Sequence, residues 1–311
     1  MQYFAGRWTF ASIALLVLTT SGLTQTCTVS LPTIAFGNVN VLSGAAVDTT
    51  ATVTVSCING QAVGQRVCIS IGAGSDSDVT SRKMDDASID KVRYDLFKDA
   101  ARAQLWGSWQ TAFDTAGVQL DVPQNTNGSV TVFARFLGSQ QAAIPNSYSS
   151  TFTANPFVQY GNKTATACPT GGKTASTSTT ATATVIKNCT VSATTLNFGS
   201  SGVISANIDQ TSTIQVQCTN TTPYNVGLNA GTAPGATVTT RKMASGAKQI
   251  NYSLFRDVGR TTNWGNTVGT DTAASTGTGA TQNFTVFGRV PPQTTPAPGA
   301  YSDTIVATVT F

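Results

Sequence analysis

Tyr301-Ser302-Asp303-Thr304-Ile305-Val306-Ala307-Thr308-Val309-Thr310-Phe311 is the stretch that decides the fold. Ile305, Ala307, Val309 and Phe311 fall on one face, and Thr304, Val306, Thr308 and Thr310 on the other. A period of two in β-branched residues predicts a strand with one buried face. The strand reaches the last residue of the chain, so its backbone edge is expected to lack a partner from within. Exposed strand edges are ordinarily blunted or covered. The simplest cover is a strand from another protein. The competing reading of these residues is an ordinary core strand of a complete domain.

The rest of the chain is built of similar material. It has 311 residues, enough for two domains of ordinary size. Only 10% of the residues are charged against 40% hydrophobic. The abundance of Ala, Thr, Ser and Gly suits β-sandwiches and argues against helices and coiled coils. A net charge of +4 with no basic block leaves no nucleic-acid footprint. The chain has no His, which removes Ser-His-Asp triads, Cys-His dyads and His-ligated zinc. Fourteen acidic residues are a thin supply for carboxylate chemistry. An enzyme is the least favoured class, and neither a cofactor nor a metal is expected.

The N-terminus predicts a secretory signal peptide over residues 1–24. Arg7 precedes a short apolar run ending at Leu18, and the small residues Thr19, Thr20, Ser21 and Gly22 follow. The run is too short to span a membrane comfortably, and no other stretch is longer. The six cysteines then reside in an oxidising compartment and are expected to be paired.

The two halves of the chain repeat each other. Cys27-Thr-Val-Ser…Phe36-Gly37 returns as Cys189-Thr-Val-Ser…Phe198-Gly199. Val53-Thr-Val-Ser-Cys57 returns as Ile214-Gln-Val-Gln-Cys218, and Arg82-Lys-Met84 as Arg241-Lys-Met243. Tyr94-Asp-Leu-Phe97-Lys-Asp99 returns as Tyr252-Ser-Leu-Phe255-Arg-Asp257, Trp106-Gly107 as Trp264-Gly265, and Tyr148-Ser as Tyr301-Ser. Short alternating strands separated by Gly, Asn and Asp turns predict an antiparallel β-sandwich in each half. The repeat also sorts the cysteines. Cys27–Cys57 and Cys189–Cys218 occupy matching places and are paired within domains, which leaves Cys68 and Cys168 to each other. A loop of this length, once closed, stabilises by a few kcal/mol.

The expected domains are residues 25–170, a linker at 171–188 and residues 189–311. The linker begins as a flexible Gly171-Gly-Lys-Thr-Ala-Ser-Thr-Ser hinge. Thr179-Thr-Ala-Thr-Ala-Thr-Val185-Ile186 then alternates like a strand. Two readings stay open: it completes domain 1, or it is the first strand of domain 2. Nothing follows Phe311, so domain 1 is expected to be a complete sandwich and domain 2 to be one strand short.

The Cys-Thr-Val-Ser…Phe-Gly opening, the Tyr-x-Leu-Phe-x-Asp…Trp-Gly centre and the Tyr-Ser-Asp-Thr…Val-Thr-Phe close resemble the spore coat protein U family. These are secreted pilin domains of archaic chaperone–usher pili. The resemblance spans both halves. It implies an immunoglobulin-like sandwich lacking its last strand, a gap filled first by a periplasmic chaperone and then by the N-terminal extension of the adjacent pilin. It further implies passage through an outer-membrane usher, secretion by way of the periplasm, and a final place on the pilus at the cell surface. The chain departs from an ordinary pilin in one respect. Cleavage between Gly22 and Gln25 would leave few residues before Cys27 to donate. That polarity fits a two-domain adhesin at the pilus tip, acting in attachment and biofilm formation.

On this reading Ile305, Ala307, Val309 and Phe311 form the face that accepts the donor strand, and the Phe311 carboxylate docks on basic chaperone residues. Trp106 and Trp264 recur at one motif position, which favours a core role over a binding one. Apolar residues peculiar to domain 1 are the candidates for contact with an abiotic or host surface: Val63, Leu105, Trp109, Ala142, Ala143 and Ile144. The plain alternative for each is that it tucks back into the sandwich. Asp76-Ser-Asp78 with Asp85-Asp86 lacks the spacing of a calcium loop and is taken as a solvated turn. Two other functions compete. One is a lectin-like carbohydrate binder using Trp106, Trp109 and Asp114, and the other is a structural protein of a spore or outer coat.

Overall fold

The computed structural model describes residues 25–311 apart from 59–63, 76, 79–80, 89, 110–115, 164–167 and 169–170. Residues 1–24, Val63, Asp76 and Asp114 therefore lie outside the described residues.

The described residues are all-β, with a single 3₁₀ turn at Val41–Ser43. The first half contributes β1 (Thr26–Ser30), β2 (Ile34–Val39), β3 (Val47–Ile58), β4 (Gln65–Ser70), β5 (Arg82–Asp85), β6 (Lys91–Phe97), β7 (Val118–Val122) and β8 (Thr126–Phe136). It continues through β9 (Asn146–Phe152), β10 (Phe157–Asn162), β11 (Lys173–Ser176) and β12 (Thr179–Val185). These form an eight-stranded sheet, β1-β3-β8-β6-β5-β9-β12-β2, facing a four-stranded sheet, β11-β10-β4-β7. Alternation decides which face is buried. Along β3, Ala51, Val53, Val55 and Cys57 point into the core while their neighbours stay partly or fully exposed. Both sheets close over one apolar cluster that includes Ile34, Phe36, Tyr94, Trp106 and Phe136.

The segment 179–185, left open between two readings by the sequence, is part of the first sandwich. β12 runs antiparallel to β9 and parallel to β2, so it joins two strands that would otherwise be free edges. Thr179, Ala181, Ala183 and Val185 are its buried residues. The connection to the second half shrinks to residues 186–188.

The second half contributes β13 (Cys189–Ala193), β14 (Ile208–Cys218), β15 (Pro223–Leu228), β16 (Arg241–Ser245) and β17 (Lys248–Phe255). It ends with β18 (Ala273–Thr276), β19 (Thr281–Val290) and β20 (Ala307–Thr310). Its sheets are β13-β14-β19-β17-β16 and β18-β15-β20. Aligned on the repeat, β13, β14, β19, β17 and β16 reproduce β1, β3, β8, β6 and β5, and β18, β15 and β20 reproduce β7, β4 and β10. No described strand of the second half stands where β11, β12 and β2 stand in the first. The counterpart of β9 is reduced to a single bridge, Ala244↔Ser302, which matches the Asp85↔Ser149 pair. The carboxy-terminal stretch is thus not one strand. Residues around Ser302 belong to the larger sheet and Ala307–Thr310 to the smaller one.

The disulfides are Cys27–Cys57, Cys68–Cys168 and Cys189–Cys218. The first and third join residues directly opposite each other at matching places, Cys27↔Cys57 between β1 and β3 and Cys189↔Cys218 between β13 and β14.

Candidate strand-acceptor groove

The place that β12 occupies in the first sandwich is an open groove of about 1010 Å³ in the second. One wall is Leu196 to Gly199, the counterpart of β2; the other is Tyr301 to Ile305, the counterpart of β9. Met243, Ile250, Tyr252 and Val290 lie on its floor. Neither wall is a regular strand, and among the described residues no strand lies between them. A backbone with no neighbour has no ladder to hold it extended.

Burial shows what the groove has lost. Ile34, Phe36, Met84, Val92 and Tyr148 are all buried in the first sandwich. Their counterparts Leu196, Phe198, Met243, Ile250 and Tyr301 are only half-buried. Each pair has the same or similar chemistry, so the difference comes from the strand that covers one set and not the other. Apolar area left open in this way is a standing penalty of about 25 cal/mol per Å², recovered when a strand enters.

The polar end of the groove is built around Asp303. Its Oδ1 accepts from the Thr232 N–H at 2.9 Å, the Thr232 hydroxyl at 3.0 Å and the Thr304 N–H at 2.8 Å. Its Oδ2 accepts from the Tyr252 hydroxyl at 2.8 Å. Burial, with Asp303 beside it, pushes the Tyr252 phenol well above its ordinary value. The carboxylate reaches this position because Gly231 has φ +89°, and a Cβ there would collide with it. Gly74 (φ +87°) makes the same room for the Ser150 hydroxyl in the first sandwich.

Behind the groove lies Arg241, fully buried. Its Nε donates to the Asn229 carbonyl at 2.8 Å, Nη1 to Val238 at 2.6 Å, and Nη2 to Leu228 and Trp264 at 3.0 and 2.6 Å. Burial lowers its pKa to about 10, against the opposing pull of Tyr252, Asp303 and Asp271. Arg82 repeats the arrangement with the carbonyls of Gly72, Ile71 and Trp106. In the sequence the recurrence of Arg-Lys-Met singles out these arginines, and their burial is not visible in it.

The expected acceptor residues divide. Ile305, Ala307 and Val309 pack against the second core, and Ile305 and Ala307 line the groove. Phe311 is 54% exposed and lies outside that packing.

The described surface candidates have different surroundings. Trp109 is 38% exposed. Leu105 is half-buried and bridges to Phe97. Ala143 and Ile144 pack against the first core, and the Ala142 carbonyl accepts from Asn220 Nδ2 of the second half at 2.8 Å. The loop between β8 and β9 is thus hydrogen-bonded to the second half, while Ala142 itself stays exposed. Trp106 and Trp264 are buried, with Nε1 donating to the carbonyls of Ile69 and Val226. Trp106 is therefore no stacking platform for a sugar. Asp78 is paired with Lys83 at 2.9 Å, and Asp86 accepts from Ser88 and Asn146. Among the described residues no group of three or more His, Cys, Asp or Glu is placed to hold a metal ion.

The Spore Coat Protein U domain profile matches residues 13–155 and 175–308, one match for each half. Protein U of Myxococcus xanthus is 33% identical over 127 residues, covering 37% of this chain and 70% of that protein. The fold is also similar to a chain in the crystal structure of the CsuC–CsuE chaperone–tip adhesion subunit pre-assembly complex, from the archaic chaperone–usher Csu pili of Acinetobacter baumannii. That similarity has a TM-score of 0.59 at 17% identity, over 92% of this chain and 100% of that one.

Proposed function

The chain belongs to the Spore Coat Protein U domain family, and on that premise we propose that it is the tip adhesin subunit of a secreted archaic chaperone–usher pilus. Its second domain accepts a strand from a periplasmic chaperone in transit through the periplasm. At the outer-membrane usher it exchanges that strand for the N-terminal extension of the adjacent pilin. Its first domain is turned outward toward an abiotic or host surface in attachment and biofilm formation.

The observation that carries this reading is the contrast between the two sandwiches. One position holds β12 in the first and is an open apolar groove in the second. Backbone hydrogen bonds along an extended partner supply affinity in such an arrangement, and the alternate side chains supply selectivity. The inter-domain segment that a pilin would donate outward is used here within the first domain, which supports a terminal place. Trp109 remains the surface-contact candidate with an exposed ring.

The test is expression of the secreted chain with and without a pilus chaperone. The expected result is a soluble 1:1 complex with the chaperone and aggregation without it. A stable, soluble monomer in the absence of any partner would overturn the reading.

A further inference from the structure

This inference rests on the second domain being a strand acceptor, and concerns what strand it accepts. In the first sandwich the groove is filled by only part of a longer element. β11 pairs antiparallel with β10, in the smaller sheet, and β12 pairs antiparallel with β9, in the larger one. Only Thr177 and Ser178 separate them. The inward positions keep one parity across the change of sheet: Ala175 and Thr177 are half-buried, and Thr179, Ala181, Ala183 and Val185 are buried. All six are small or β-branched, as a strand threaded between packed sheets requires.

The second domain repeats the whole track and not only the groove. β20 pairs with β15 on one side, as β10 does with β4. No described strand pairs with its other side, where β10 has β11. The face that β11 helps to cover is also bare: Val191 is 41% exposed, whereas its counterpart Val29 is 8% exposed. Groove and β20 edge thus follow one another along residues 299–311, with no described strand on that side of either.

The register of the first sandwich predicts what faces each position. Thr179 lies opposite Phe152, Ala181 opposite Ser150 and Ala183 opposite Tyr148. The equivalents in the second domain are Ile305, Asp303 and Tyr301. Residues directly opposite in an antiparallel pair have adjacent side chains, and like charges there are destabilising. The Asp303 carboxylate already accepts four hydrogen bonds, so a covering strand need not supply a donor. It must bring neither bulk nor a second negative charge.

We propose that the partner segment runs the whole line from β20 to Gly299, as residues 173–185 do in the first domain, and carries a small, non-acidic residue opposite Asp303. Its first part adds to the free edge of β20 and covers Val191, and its second part fills the groove.

The test uses the full chain extended after Phe311 by a flexible linker and a copy of its own segment. The copies are residues 173–186, residues 178–186, and residues 173–186 with Asp or Leu where Ala181 stands. Amide exchange and the thermal midpoint of the second domain are read, with Asp303 present and with Asp303→Asn, which keeps the shape of the group without its charge. The longer copy should protect β20 and residues 301–305. The shorter copy should protect 301–305 alone and leave a lower midpoint. Asp in the copy should lower the midpoint by roughly 5 °C or more, and Asp303→Asn should return part of that loss. Leu should lower it in both backgrounds. Equal protection and equal midpoints for the two lengths would overturn the extended track. An unchanged loss from Asp in the Asp303→Asn background would overturn the selectivity. Failure of every copy to protect 301–305 would overturn the acceptor reading itself, and this inference with it.

Discussion

Each sandwich has at its centre a guanidinium held by main-chain carbonyls. Arg241 serves four of them, from Leu228, Asn229, Val238 and Trp264. These belong to three separate segments, the end of β15, the approach to β16 and the stretch after β17, so the side chain fixes the ends of several strands at once. Arg241→Met removes every one of these donors and is expected to destabilise the second domain by about 3 kcal/mol or more, read by urea unfolding of the donor-completed chain. The exposed Asp257 works more locally. It accepts from the backbone of Thr261 and Thr262, which lowers its pKa to about 2. A folded pKa below the unfolded value gives stability that is present above about pH 4 and lost as pH falls through about 2. The midpoint temperature of the second domain should drop over that window, and Asp257→Asn should flatten the drop. Both residues were legible as repeats in the sequence. Their roles were not equally so. An Asp before a turn announces itself, whereas an arginine is ordinarily solvated and its carbonyl partners lie in distant segments.

At the scale of elements, β12 is the piece on which the difference between the domains turns. Its alternation predicted a strand correctly, yet its partner could not be read from it. A run of Thr and Ala has two similar faces and fits any vacant slot between packed sheets. Its direction and neighbours were decided by β2 and β9, far away in sequence. Substitution of Ala181 by Asp places a charge against the buried Ser150 and Ile34. It should destabilise the first domain by more than about 3 kcal/mol and convert it into a second open-groove sandwich. Two chaperones in place of one in the purified complex would report this. The carboxy-terminal stretch shows the opposite case. Its period of two was read as one strand, and the structure splits it between two sheets. Among the described residues no strand lies along the groove side of 303–306, and they form no ladder there.

The molecule as a whole is a closed sandwich followed by an open one, with a short, bonded joint between them. Thr219 is buried at that joint, where its hydroxyl accepts from the Asn188 N–H at 3.0 Å and its own N–H donates to the Asn188 carbonyl at 2.9 Å. The repeat made both sandwiches visible in the sequence. The bond from Asn220 to the Ala142 carbonyl could not be read from it, because an alanine looks alike whether it lies beside solvent or a neighbour. The most direct measurement compares amide exchange in the chain alone, trapped at low concentration, with exchange in the complex with a pilus chaperone that the proposed function predicts. Leu196 to Gly199 and Ser302 to Ile305 should exchange fast in the free chain and slowly in the complex. β2, β9 and β12 of the first domain should be slow in both. Slow exchange of the second-domain walls in the free chain, or no change on complex formation, would contradict an open acceptor groove.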